Sequence, residues 1–244
     1  MPASWCPSGT SRNVALALID ELGAHDRLAI VNTGPFELVQ QLSTDREASR
    51  TLVRKFLGQK GGMTFPNQTC HNTVVTLKVI SIAARVMGRG PLERRTIVVV
   101  GEGYPVYIAE WSANGNTDTC LEARAAYDEV VAATALTNTA IYGVDPRRLM
   151  ASGPVLAVAT DRDAVTAVAS MAQDVANKME ARYHGTLGLM ATSTGGTLTT
   201  DRNNLAADVP TMIRDSRQYY RIVYLQPEVP ADELTRPRRI DVSV

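Results

Sequence analysis

The chain has 244 residues, and its 25 Lys and Arg side chains balance 25 Asp and Glu, so its formal net charge is zero. That length suits one α/β domain and is short for two. The balanced charge argues against a dominant role in binding nucleic acid or anionic membranes, and arginine pairs such as Arg94-Arg95 are scattered surface or strand-end charge. No apolar run approaches the roughly 20 residues of a membrane-spanning helix.

Neither the first residues nor the cysteines indicate a special class of protein. Residues 1–5 have no basic start and no apolar stretch, so the sequence predicts no signal peptide. The three cysteines, Cys6, Cys70 and Cys120, are widely spaced and form no C-x-x-C pair. They predict neither a disulfide framework nor a zinc site. His71 follows Cys70, but adjacent side chains rarely converge on one ion.

The first quarter of the chain predicts two helices with two strands between them. Residues 11–22 carry a broad apolar face and stop at a glycine, as an amphipathic helix does. The apolar run 28–31 has the length of a buried strand, and 36–42 alternates enough to pair with it after a Gly-Pro turn. A second helix follows Asp45, which can cap it.

The middle of the chain predicts a helix, a strand, a helix and a strand. The first helix covers 71–87, and the strand 96–100 (TIVVV) is the clearest in the chain. Its five β-favouring residues carry no charge, so we expect a central parallel strand covered on both faces. The second helix covers 118–137 and the second strand 140–144. The side chains expected to point inward from the first helix are Val75, Val79, Ile82, Ala83 and Val86.

The last third predicts two helices and two strands. A helix covers 161–190, a Gly195-Gly196 tight turn follows it, and a short helix covers 204–217. Strands are predicted at 219–225 and 238–244, and the second alternates apolar with polar residues as a half-exposed antiparallel edge does.

Strands separated by helices of ten or more residues predict right-handed β-α-β crossovers. The expected fold class is therefore α/β, with three layers and a mainly parallel sheet covered by helices on both faces. The segments 28–31, 96–100, 140–144 and 219–225 form the parallel part, and the other two strands are antiparallel edges. No internal repeat or linker is evident, so residues 1–244 are interpreted as one domain.

Signals for chemistry are weak. Gly101-x-Gly103 follows a strand, but Val106 replaces the third glycine of a dinucleotide fingerprint and no helix starts there. No G-x-S-x-G nucleophile motif occurs, and the three histidines are scattered. Asp145 ends a strand, where catalytic residues of α/β enzymes often lie, but Asp-Pro more simply stops the strand by accepting turn hydrogen bonds. The sequence therefore predicts no enzyme.

Four segments together resemble a known family. They are 26–31 with 42–46 (DRLAIV, LSTDR), 94–103 (RRTIVVVGEG), 140–147 (AIYGVDPR), and the ending TGG at 194–196 with Tyr219-Tyr220 and 240–242 (IDV). They resemble, in order, the DRVAVVxF…LTxD, RKTLVLLSEG, IYTIDPRG and TGG…YYLLGY…IxVxV motifs of von Willebrand factor A-type domains, in a bacterial branch of VWFA-related proteins. The resemblance covers nearly the whole chain.

The resemblance implies a Rossmann-like fold that opens on a central strand ending in D-x-S-x-S. In the family this Asp and the two Ser hold a divalent ion, with a Thr from a second loop and an Asp from a third. Only ten residues precede the first predicted helix, so we expect that first central strand to be missing and the domain to be a fragment incomplete at both ends. Full-length relatives are periplasmic or secreted.

The family's metal site is expected to be degenerate here. Ser8 and Ser11 lie near the expected first loop without the preceding Asp, Thr73 or Thr76 corresponds to the family's Thr, and Glu102 replaces the second Asp. Oxygen ligands of this kind suit Mg²⁺ or Mn²⁺. Losing the first Asp removes the main charge, so weak binding or none is expected, and no other cofactor.

The resemblance implies a non-enzymatic domain that binds a protein partner, in adhesion or assembly. The expected binding surface is the rim at the carboxyl ends of the strands, made of 32–35, 62–72, 102–116 and 145–160. Tyr104, Tyr107 and Trp111 are aromatics of the type that anchor interfaces, and they would serve equally well to cover the core. The alternatives are a metal-dependent adhesion domain that binds Mg²⁺ and a Rossmann-like nucleotide-binding enzyme domain.

Overall fold

The computed structural model of the chain describes residues 8–33, 37–56, 66–89, 93–101, 103, 121–146, 185–200 and 204–218. The elements in chain order are α1 (Ser8–Glu21), β1 (Leu28–Asn32), β2 (Glu37–Ser43), α2 (Arg46–Lys55), α3 (Pro66–Met87), β3 (Arg95–Val100), α4 (Leu121–Thr137), β4 (Thr139–Val144), α5 (residues 185–193), β5 (Leu198–Thr199), a 3-10 turn (Leu205–Asp208) and α6 (Val209–Arg217). The predicted strands 219–225 and 238–244 lie outside the described residues.

The strand β4 is the middle strand of a three-stranded parallel sheet. It pairs with β3 in register from Arg95 opposite Thr139 to Val100 opposite Val144, and with β5 on its other side. All six of its residues are buried. Parallel pairing with helices between the strands confirms the α/β class.

Two layers of helices cover this sheet. On one face, α3, α4 and α5 pack against Ile97, Val99 and Ile141 in a first core cluster. On the other face, α1, the 3-10 turn and α6 pack against Ala140 and Tyr142, among others, in a second core cluster. Neighbouring residues of β4 thus point to opposite faces, as the two-residue period of a strand requires.

Two strand placements differ from the sequence-based predictions. Among the described residues β3 pairs with β4 alone, so it is an outer strand of the described sheet with all six residues half-buried, whereas the sequence places 96–100 at the centre of a larger sheet whose strands 219–225 and 238–244 lie outside the described residues. The strand β1 pairs antiparallel with β2 as expected, but the two form a separate sheet, and β1 is not a parallel member of the larger one. An apolar run indicates that both faces of a strand are covered. It does not indicate how many other strands pair with that strand.

The inward face of α3 also differs from the prediction. The buried apolar residues are Val74, Leu77, Ile80 and Ala84, whereas Ile82 and Val86 are 59% and 48% exposed. Apolar residues lie on several sides of this helix, so the sequence offers two stripes at helical spacing. The stripe that packs against α4 is the one with no charged residue.

Polar contacts hold the ends of several helices. Asp45 caps α2 as predicted, because its side chain accepts a hydrogen bond from the N–H of Ala48 at 2.9 Å. Asp26 accepts bonds from the Gly23 N–H at 2.7 Å and from Arg217 of α6 at 2.6 Å. Desolvation would raise the pKa of Asp26, but the Gly23 N–H and the arginine together outweigh it and lower that pKa. No described helix is long and apolar enough to cross a membrane.

The predicted Gly195-Gly196 turn is the cap that ends α5. The Gly196 N–H donates to the carbonyl of Ala191 at 2.9 Å and the Gly195 N–H to that of Thr192 at 3.3 Å, with Gly195 at φ 76°. This pattern is a Schellman motif, in which a glycine adopts the left-handed conformation. A Cβ placed on Gly196 would collide with the carbonyl oxygen of Ile141 in β4.

We therefore predict that Gly196→Ala lowers the free energy of unfolding by about 2–3 kcal/mol, since the backbone of a central strand cannot move away. Gly185→Ala in the same helix is the matched control, because a Cβ there meets no atom within 4 Å. Urea titration of both variants measures the difference. Equal midpoints would contradict the close approach of the turn to β4.

Candidate functional site

The parallel strands end side by side and form the carboxyl edge of the sheet. The Gly101 N–H donates to the carbonyl of Val144 at 3.0 Å, and the Asp145 N–H donates to that of Thr199 at 2.9 Å. The ladder therefore continues one residue beyond β3 and β4. The last residues of β3, β4 and β5 lie next to each other at this edge.

The helices of the first layer end at the opposite, amino edge. A Cβ on Gly88, which follows α3, would run into the side chain of Thr137 at the end of α4. The Arg95 N–H, at the start of β3, donates to the carbonyl of Asn138 at 3.0 Å. Since α3 and α4 finish at the amino edge, their first turns point toward the carboxyl edge, and helix N-termini bring partial positive charge there.

The elements that flank three undescribed parts of the chain begin or end at the carboxyl edge. In the sequence, residues 104–120 fall between β3 and α4, residues 147–184 follow β4, and residues 57–65 precede α3. The predicted rim segments 62–72, 102–116 and 145–160 lie largely outside the described residues, and 32–35 follows β1 in the two-stranded sheet.

Asp145 is the one charged side chain that is buried among the described residues, at 1% exposure. Its neighbour Pro146 is the last described residue of this segment. A buried carboxylate is costly unless it is bonded, and Asp145 does have an interaction partner. From the sequence, Asp145 is predicted only to stop the strand. Its burial is not predicted, because the burial of a residue at a strand end depends on which helices cover that end.

The predicted metal ligands lie on two helices on opposite faces of the sheet. Ser8 is the first residue of α1 and Ser11 follows one turn later, while Thr73 and Thr76 belong to α3. The two threonines are 1% and 5% exposed. The Thr76 hydroxyl donates to the carbonyl of Asn72 at 2.9 Å, a bond within the helix.

The loop before α3 is shorter than the sequence predicts. The helix begins at Pro66, five residues before the predicted start at His71, because proline is well suited to the first turn of a helix, where no N–H is needed. Thr73 and Thr76 lie in the helix, as the predicted range 71–87 already implies, and the earlier start places them in its second and third turns. Glu102 lies outside the described residues. Gly103 next to it has φ 82°, so the chain turns there in a conformation that favours glycine.

The aromatic residues predicted to bind a partner, Tyr104, Tyr107 and Trp111, lie outside the described residues. In the sequence they fall between β3, which ends at Val100, and α4, which begins at Leu121 among the described residues.

A cavity of about 160 Å³ opens at the amino edge and is lined by Arg94, Asn138 and Thr194, among others. Its polar groups hold the fold together. Arg94 donates to the carbonyl of Gly195 at 2.9 Å, and the Thr194 hydroxyl accepts from the N–H of Ile141 at 2.8 Å. The Arg95 side chain likewise donates to the carbonyl of Thr137 at 2.8 Å. The two arginines are thus strand-end charges that cap helix C-termini, as cations there should.

Comparison with known proteins gives no relative: no family model, no curated protein and no solved structure matches this chain. The similarity to von Willebrand factor A-type domains therefore depends on the motifs in the sequence.

Proposed function

We propose that the chain is a non-enzymatic protein-binding domain of the von Willebrand factor A type, which acts in adhesion or assembly through its carboxyl edge. One observation carries the proposal: β3 and β4 end at that edge and the first turns of α3 and α4 point to it, so the described elements next to 57–65, 104–120 and 147–184 meet there. Open α/β sheets bind their ligands there, and long connections on a rigid scaffold commonly carry function.

The segment from Gly103 to the start of α4 is the strongest part of this surface. Tyr104, Tyr107 and Trp111 supply three large aromatic side chains, the residue types that dominate interface binding energy. The described helices cover both faces of the sheet. That coverage favours a surface role for the aromatics over a role as cover for the core.

The absence of catalysis is part of the proposal. Side-chain catalysis needs an acid, a base or a nucleophile within hydrogen-bonding distance of one another at one site. The described part of the chain offers Asp145 at the carboxyl edge, buried and engaged, and two exposed histidines, His25 and His71. A dinucleotide site is disfavoured as well, because Val106 stands where the third glycine of the fingerprint belongs.

A degenerate metal site belongs to the same proposal, because the described candidate ligands fit a cation poorly. Thr76 uses its hydroxyl within α3, and Thr73 is almost completely buried. Among the described residues no three His, Cys, Asp or Glu side chains come together as a metal site. Glu102 alone would supply charge, whereas Mg²⁺ and Mn²⁺ need several oxygen ligands in one arrangement.

To test partner binding, the chain is used to select ligands from a displayed library of random peptides. We expect the combined variant Tyr104→Ala, Tyr107→Ala and Trp111→Ala to lower the affinity for the selected peptides at least tenfold, which corresponds to about 1.4 kcal/mol of binding free energy. Leu136→Ala is the control, since this exposed residue lies at the amino end of the sheet. It should change affinity less than about twofold. Peptides that bind the triple variant as tightly as the wild type would refute the proposed surface.

To test the metal site, the chain is titrated calorimetrically with Mn²⁺. We expect a dissociation constant weaker than about 1 mM, because one carboxylate cannot order ligands from separate elements. Glu93→Ala is the control, an exposed carboxylate before β3. Micromolar binding that Glu102→Ala abolishes and Glu93→Ala preserves would establish metal-dependent adhesion instead.

A further inference from the structure

Cys70 forms a disulfide bond. The sequence predicts no disulfide, so this bond is a correction as well as a new feature. Cys70 lies on α3 and packs against the first core cluster. The two remaining cysteines of the chain, Cys6 and Cys120, lie outside the described residues, and the position of the described elements distinguishes between them.

Cys120 is adjacent in sequence to a helix that packs against the helix of Cys70. It precedes Leu121, the first residue of α4, and α4 packs along α3. Ala123 is completely buried in the same core cluster against which Cys70 packs. Three residues span at most about 10 Å, so Cys120 lies within that distance of a residue in Cys70's own cluster.

Cys6 is connected to the other side of the sheet. It lies two residues before Ser8, where α1 begins, and α1 packs through Val14 in the second core cluster. Each packed layer adds about 10 Å, so helices on opposite faces of the sheet lie about 20 Å apart. Two residues span at most about 7 Å and cannot cover that distance.

We therefore propose that Cys70 is bonded to Cys120, and that this disulfide links the second turn of α3 to the residue before α4. It closes a covalent loop of about 50 residues that contains β3 and the aromatic segment. That segment is then fixed at one end by the pairing of β3 with β4 and at the other by the disulfide. Cys6 keeps a free thiol.

Formation of the bond requires a disulfide as oxidant. Each of the two thiols loses one proton and one electron. A small-molecule or protein disulfide accepts these two protons and two electrons and becomes two thiols. Disulfides of this kind persist in oxidising compartments, so the bond suits a protein that acts outside the cytosol.

Trypsin makes the test direct, because cleavage after Lys and Arg places the three cysteines in separate peptides, 1–12, 61–78 and 96–124. The chain, treated with oxidised glutathione, is alkylated without reduction, digested and analysed by mass spectrometry. We expect a linked pair of peptides 61–78 and 96–124, and peptide 1–12 unlinked, with Cys6 either alkylated or carrying one glutathione. A linked pair of 1–12 and 61–78, or alkylation of all three cysteines, would overturn the assignment.

Thermal unfolding provides the second measurement. Reduction should lower the melting temperature of the wild type and of Cys6→Ser by roughly 5–10 °C. The double variant Cys70→Ala and Cys120→Ala should melt at the reduced temperature with or without reductant. A double variant that remains sensitive to reductant would refute the proposed bond. Neither measurement involves a binding partner, so failure of the proposed function would leave the assignment of the disulfide unaffected.

Discussion

The fold depends on one constraint, the complete burial of β4 between two strands and two layers of helices. Its residues alternate between two core clusters, with Ile141 in one and Tyr142 in the other. Burying a side chain of that size stabilises a protein by about 1.5–3 kcal/mol. Gly143 shows how tight the packing is, because a Cβ there would lie 2.7 Å from Leu187. The helices of the two layers, the short β5 and the turn at Gly196 are all positioned against this strand, whereas α2 packs against α1 and β2.

That constraint also decides where function can reside. Because β3, β4 and β5 are parallel, their ends define one edge, and the first turns of α3 and α4 point to it. The opposite edge is filled by contacts that close the fold, among them those of Arg94 and Thr194. A disulfide from Cys70 to the start of α4 would hold the carboxyl edge together in the same way. The contacts at the amino edge are therefore structural, and the carboxyl edge is where we propose that a partner binds.

The sequence predicts local features well and long-range features poorly. The cap at Asp45, the strand 140–144 and the turn at Gly195-Gly196 depend on nearby residues, and the structure confirms them. The central strand, the inward face of α3 and the bond of Cys70 depend on which elements meet in space. Val98 and Tyr142 illustrate the difference: the more apolar residue lies on the half-buried outer strand, and the tyrosine is 1% exposed on the middle one. For the site, the sequence indicates the carboxyl edge and places Thr73 and Thr76 in a helix, but it does not indicate that both are buried there.

Amide hydrogen exchange of the native chain, followed residue by residue, tests the central position of β4 most directly. We predict that the amides of Ile141, Gly143 and Asp145 exchange slowest, because they belong to the buried strand and donate to the Thr194 hydroxyl and to the carbonyls of Thr197 and Thr199. The outer strand β3 should contain amides that exchange faster by several orders of magnitude, since one of its edges has no partner among the described strands. Uniform protection along Thr96 to Val100, equal to that of β4, would contradict the account and would make β3 the central strand.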